Sequence, residues 1–361
     1  MKAQEIFTAG TSIWLDDLSR SKLMGNGPLS LSARIAHDGV RGVTTNPSIF
    51  AAAITGAAEY AADISAFPGD GVDALVQKLT TDDVRMACDL FLDLYTSSNG
   101  IDGRVSIEVD PRLARDTART IVEGIALHSV VDRPNVMIKV PATLEGLPAI
   151  TALIAQGISV NVTLIFSLQR YEEVIDAFTQ GIALASEQGR DLTTIHSVAS
   201  FFISRIDTAV DKELMAIGNE SLLGKIALAN AHCAYALFQE KFDTPQWRKL
   251  AELGAQMQRP LWASTGVKDP SYPDTLYVDQ LIAPHTVNTM PPSTLAAVLD
   301  HSVVSGDAIT PQIATARKHL SDLQACGISL DAITTALEED GVKKFAQSWI
   351  ELLDSVRREM I

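Results

Sequence analysis

Eight short runs rich in β-branched and apolar residues recur along the first 300 or so positions, alternating with stretches of helical spacing. They are SIWLDD (12–17), GVTTN (42–46), RVSIEVD (104–110), VMIKV (136–140), SVNVTLIF (159–166), TIHSVAS (194–200), RPLWAS (259–264) and TVNTM (286–290). Parallel strands need long crossovers, and a helix is the usual one, so this alternation predicts an α/β parallel sheet covered by helices. Eight units predict a sheet closed on itself.

The intervening segments carry helical stripes: Val84, Ala87, Cys88, Phe91, Leu92 and Tyr95 in one, and Leu113, Thr117, Ile121 and Ile125 in another. Residues 51–100 and 206–258 are too long for single crossovers and predict inserted helices. Further helices are expected in a C-terminal extension over about 302–361, the whole chain 1–361 being read as one barrel domain. GNGPLS at residue 25 lacks the third glycine of a dinucleotide fingerprint.

Composition narrows the function classes. A formal charge of −15 repels a phosphate backbone, and no basic patch offsets it, so nucleic acid is not an expected partner. There is no apolar run of the ~18 residues a membrane span needs, and MKAQEIFTAG lacks the layout of a signal peptide. A cytoplasmic protein with no membrane partner is expected. Cys88, Cys233 and Cys326 are few, odd in number and far apart, which argues against a disulfide framework or a zinc cluster. No metal spacing is formed among the seven histidines, and His196 reads as a packed interior residue. No metal or cofactor is expected.

Side chains alternate faces along a strand, so each run splits into two sets. Val105, Ile107 and Val109 oppose Ser106, Glu108 and Asp110. Val136, Ile138 and Val140 oppose Met137 and Lys139. Val160, Val162 and Leu164 oppose Asn161 and Thr163. Ile13 and Leu15 oppose Ser12, Trp14 and Asp16, and Thr44 shares a face with Asn46. A sheet with one solvated face would alternate in the same way. In a barrel ringed by helices, however, the apolar set must face outward and the polar set inward. Active sites of such barrels lie at the C-terminal ends of the strands, where Asp16, Asn46, Glu108, Lys139, Asn161 and Thr163 would converge.

Lys139 sits in an otherwise apolar run, where an unpaired charge is costly. A neutral lysine amine is a nucleophile that forms a Schiff base with a ketone; the iminium then permits cleavage of the bond beyond the adjacent carbon. Asp16 and Glu108 supply the carboxylates for proton transfer, and a snorkelling or salt-bridged lysine is the structural alternative. SVASFFISRIDTAV runs from a strand end into a helix with Ser200 near its start and Arg205 a turn later, a candidate phosphate site. WASTGVKDP adds Ser264, Thr265, Gly266 and Lys268.

Segments IWLDDLSR, GVTTNPSIF, VSIEVDPRLARDT, NVMIKVPAT, GISVNVTLIFSLQRY, VASFFISRID, PLWASTGVKDP and VNTMPPSTL together resemble the transaldolase family, in its long bacterial form, over nearly the whole chain. The resemblance implies a (β/α)8 TIM barrel with additional helices. It implies ping-pong transfer of a dihydroxyacetone unit from sedoheptulose 7-phosphate to glyceraldehyde 3-phosphate in the pentose phosphate pathway, with sugar phosphates as the small-molecule partners. By matched position Lys139 is similar to the Schiff-base lysine, Glu108 to the acid/base acting through a water, and Asp16 to the proton carrier on the substrate hydroxyl. Asp17 competes with Asp16, but shares its face with Ile13 and Leu15. Thr44, Asn46, Asn161 and Thr163 resemble hydroxyl-binding and lysine-positioning residues, and Ser200 with Arg205 part of the phosphate site. Where shorter members carry an arginine after the serine, this chain reads STGVK, and Lys268 is taken to replace it beside Ser264.

Overall fold

Strands β1 (Thr11–Asp16), β2 (Gly42–Thr44), β3 (Arg104–Glu108), β4 (Val136–Pro141), β5 (Val160–Ile165), β6 (Ser197–Phe202), β7 (Arg259–Ala263) and β8 (Thr286–Met290) pair in sequence order, every pair parallel. β8 returns to β1 through Thr11↔Thr286 to Leu15↔Met290, which closes the ring. The (β/α)8 barrel expected from the alternation is present in this computed structural model, which describes residues 2–69 and 71–360.

The outward-facing apolar sets form the barrel wall. Val105, Ile107, Val136, Ile138, Val140, Val160 and Val162 are each no more than 2% exposed, packed under the helices that follow their strands. Inside the barrel, Trp14 is fully buried and its ring lies against Gly42, where an added Cβ would come within 2.6 Å of it. A glycine is required there because the indole occupies the space a side chain would take.

Several boundaries differ from the sequence reading. β2 stops at Thr44 and β3 at Glu108, so Asn46 and Asp110 lie beyond the strands and act as caps instead of wall residues. β6 begins at Ser197 and runs to Phe202, which moves the start of the next helix to Ser204. The stripe through Tyr95 breaks at Phe91, between helices Val72–Leu90 and Leu92–Ser97, and leaves Leu92 exposed. In helix Thr117–Val131 the buried positions are Thr120, Gly124, Leu127 and Val131, one step from the expected stripe. Gly124 is its centre because Leu153 fills the place of a Cβ, and a glycine gives no apolar signal.

Residues 51–100 carry four helices or parts of them, and 206–258 carry three. The last helix, Leu330–Glu359, packs against helix Pro47–Ile54 after β2, against helix Ser204–Ala216 after β6, and against β5. β2 and β6 stand on opposite sides of the ring, so this helix, about 45 Å long at 1.5 Å per residue, spans the C-terminal mouth of the barrel. Among the described residues, no helix is long and apolar enough to cross a membrane.

Candidate active site

The parallel register sets three chemically distinct side chains in a row. Glu108 pairs with Lys139 across β3 and β4, and Lys139 with Asn161 across β4 and β5, on strands ~4.8 Å apart. Lys139 is 4% exposed; its Nζ donates to the carbonyl oxygen of Thr45 at 3.0 Å and lies 3.4 Å from Glu108 Oε2. The lysine is therefore inward, at the strand ends, and beside a carboxyl.

Burial pushes the Glu108 carboxyl up to about 7; Lys139 opposes the rise and the charge of Asp16 adds to it. Neither Glu108 oxygen has a well-aligned hydrogen bond within the protein, nor does Thr163 Oγ1, although all three atoms are buried. Buried polar atoms of this kind are normally satisfied, so they mark the surface that a ligand or solvent contacts.

Asp16, on β1, accepts a hydrogen bond from Thr44 Oγ1 at 2.6 Å, and that hydroxyl lies 2.7 Å from Thr289 Oγ1 on β8. Burial raises its carboxyl above the usual range, against the pull of Lys139. Asp17 turns away and pairs with Lys22. Asn46 caps helix Pro47–Ile54, its Oδ1 accepting from the Ile49 amide at 3.0 Å. It lines a cavity of about 230 Å³ together with Glu108, Asp110 and Trp349.

Ser200 departs from its expected position. It is a strand residue, 2% exposed, and hydrogen-bonds Asn161 inside the barrel instead of standing at a helix start. The residue at that start is Ser204, whose hydroxyl lies 3.0 Å from Ser264 Oγ and whose amide donates to the Ser264 carbonyl at 3.1 Å. Ser264 holds φ at +57°, a conformation few non-glycine residues adopt, which joins the loop after β7 to the helix after β6. Arg205 follows directly. It is half-buried, stacks on Phe202 with its guanidinium carbon 5.3 Å from the ring centroid, and forms no ion pair among the described residues. Its Nη1 is buried without a partner. Desolvation lowers its pKa, Asp340 being the acid that opposes the shift. Lys268 is exposed on the same loop as Ser264 and also unpaired among the described residues. Arg205, on the first turn of a helix with no side-chain cap, and Lys268, on the loop that touches that helix start through Ser264, are thus two cations without carboxylate partners among the described residues.

A model of the family described as Transaldolase/Fructose-6-phosphate aldolase matches residues 13–356. The chain belongs to that family. Among similar proteins of the transaldolase/fructose-6-phosphate aldolase family, the "Transaldolase" of Thermobifida fusca (strain YX) is 53% identical over 99% of this chain and 98% of its own length. Those of Acidothermus cellulolyticus and Arthrobacter sp. (strain FB24) are each 55% identical, over 99% and 98% of this chain and 96% of their own lengths.

Four residues border the candidate site without having been singled out in the sequence. Ser106, whose Oγ accepts from Asn161 Nδ2 at 3.0 Å, was legible as an inward residue but had no assigned part. Thr289 and Ser204 carried no distinguishing signal. Phe345, with its ring centroid 5.6 Å from Lys139 Nζ, comes from a helix some 200 residues away in sequence. His196 is interior, its ring pushed down to about 3 by burial and by Arg104 and Arg259.

Proposed function

We propose that the protein is a transaldolase acting through a Schiff base on Lys139. The reaction takes a dihydroxyacetone unit from sedoheptulose 7-phosphate to glyceraldehyde 3-phosphate, giving erythrose 4-phosphate and fructose 6-phosphate, in the non-oxidative pentose phosphate pathway. The observation that carries this reading is the buried lysine 3.4 Å from a carboxyl poised near neutrality.

Lys139 nitrogen attacks the keto carbon, and Glu108 moves the protons that turn the adduct into an iminium and water. Asp16 takes the proton from the substrate hydroxyl next to the bond that breaks. The bond's electrons flow to the iminium nitrogen, and the first product leaves as an aldehyde. The remaining three carbons stay on Lys139 as an enamine, which adds to the acceptor aldehyde. Asn161 and Thr163 face the unit's hydroxyls, Thr44 orients Asp16, and Asn46 borders the Glu108 side. Arg205, with Ser264 and Lys268, takes the phosphate. The three unpaired cysteines suit a reducing, cytoplasmic setting.

Borohydride reduction in the presence of fructose 6-phosphate should leave a dihydroxyacetone-derived adduct on Lys139, mapped by peptide mass. An adduct on any other residue overturns the assignment. An aldolase that releases free dihydroxyacetone shares this first half-reaction, so the two are separated by the fate of the enamine.

A further inference from the structure

We propose that Phe345 sets the balance between transferring the three-carbon unit and releasing it, by keeping bulk water from protonating the enamine on Lys139; this rests on the Schiff-base reading above. Barrel active sites are usually open at the C-terminal mouth, yet Lys139 is only 4% exposed. The helix Leu330–Glu359 covers it, and Phe345, 6% exposed, is the residue that helix places over the amine.

The roof is fixed along its length. Glu338 pairs with Arg170 at 3.3 Å, and Ser348 accepts from the Ser48 hydroxyl at 2.9 Å. Glu359 accepts from the Gly56 amide at 2.8 Å. Gly341 lies flush on the barrel rim, where a Cβ would stand 3.0 Å from Leu164 Cδ2. The helix that carries the aromatic ring is thus tied to the barrel at four points.

Both fates of the enamine begin at its nucleophilic carbon. In transfer, that carbon forms a C–C bond to the acceptor's carbonyl carbon, the carbonyl oxygen takes a proton, and the nitrogen lone pair reforms the iminium. In release, the same carbon takes a proton and forms a C–H bond, again giving the iminium. Water then adds to the iminium carbon, and the amine departs from free dihydroxyacetone. Hydrolysis of an iminium ends both routes, so it does not discriminate between them. The discriminating step is protonation of carbon, and its proton comes from solvent. A phenyl ring over the lysine has no exchangeable proton and displaces water from that side.

The test compares the parent with Phe345→Ala and Phe345→Leu in deuterated water, with fructose 6-phosphate as donor, with and without erythrose 4-phosphate as acceptor. Expected is a several-fold rise in the ratio of release to transfer in Phe345→Ala, with one solvent deuterium on carbon in each released dihydroxyacetone. Phe345→Leu, which refills apolar volume, should restore most of the parent ratio. A borohydride-trapped adduct on Lys139 in all three proteins with unchanged ratios overturns the proposal. Absence of that adduct from the parent overturns the Schiff-base reading instead. If Phe345→Ala fails to fold, a parent ratio in Phe345→His, which offers an exchangeable proton at the same place, overturns the proposal equally.

Discussion

Ser200 gives its hydroxyl proton to Asn161 Oδ1 at 2.7 Å, while Asn161 Nδ2 donates to Ser106 at 3.0 Å. The amide beside Lys139 is thereby fixed from both ends. Ser200→Ala leaves Asn161 Oδ1 short of a donor, a loss of about 1–3 kcal/mol when buried. We expect turnover to fall about tenfold with little change in the Michaelis constant for the phosphorylated donor. A rise in the Michaelis constant alone would instead mean that Ser200 touches the phosphate.

Asp16 and Asp17 are adjacent in sequence but differ in surroundings. Asp16 faces the barrel interior with Thr44, and Asp17 pairs with Lys22 outside it. Asp16→Ala should lower turnover by ~10² or more, the usual scale for removing a positioned acid or base, whereas Asp17→Ala should leave it within about twofold. Steady-state rates of the two variants, measured together, decide between them.

Glu108 is expected to set the pH dependence. Its carboxyl is pushed up to about 7 by burial, so it is largely protonated at pH 6 and largely ionised at pH 8. Taking protons from Lys139 as the adduct forms requires the ionised form. Adduct formation should therefore rise with pH through a limb near 7, and Glu108→Gln should lose that limb together with ~10²–10⁴ in rate. A limb that persists in Glu108→Gln assigns it to another group.

Arg205 offers an unpaired cation at a helix start. Arg205→Ala should raise the Michaelis constant for phosphorylated sugars by one to two orders of magnitude, in line with ~1.5–3 kcal/mol for a charged hydrogen bond. Turnover of unphosphorylated dihydroxyacetone donors should barely change. An unchanged Michaelis constant counts against the assignment.

Gly42→Ala tests the barrel interior. The new methyl would stand 2.6 Å from the buried Trp14 ring, and overpacking of this kind costs about 1–3 kcal/mol or more. Denaturant unfolding should show the loss, and a smaller residue at position 14 should recover part of it.

The barrel was legible because its signal is repetitive: each strand obeys the same two-residue alternation, and eight strands repeat it. The same parity separated Asp16 from Asp17 and placed Lys139, Glu108, Asn161 and Thr163 inward. It failed at strand ends, where Asn46 and Asp110 leave the pleat to cap helices. The expected stop of β6 fell two residues short, which is what put Ser200 at a helix start. The helical stripe missed where the signal is a missing side chain, as at Gly124. Phe345 was beyond reach for another reason. Its helix shows an ordinary amphipathic pattern, and only the three-dimensional path across the mouth reveals which barrel residue it covers.

Thr44 joins Asp16 on the first strand to Thr289 on the last. During synthesis, the carboxylate on β1 emerges hundreds of residues before its β8 neighbour, so the hydroxyl chain that orients it is completed only when the ring shuts.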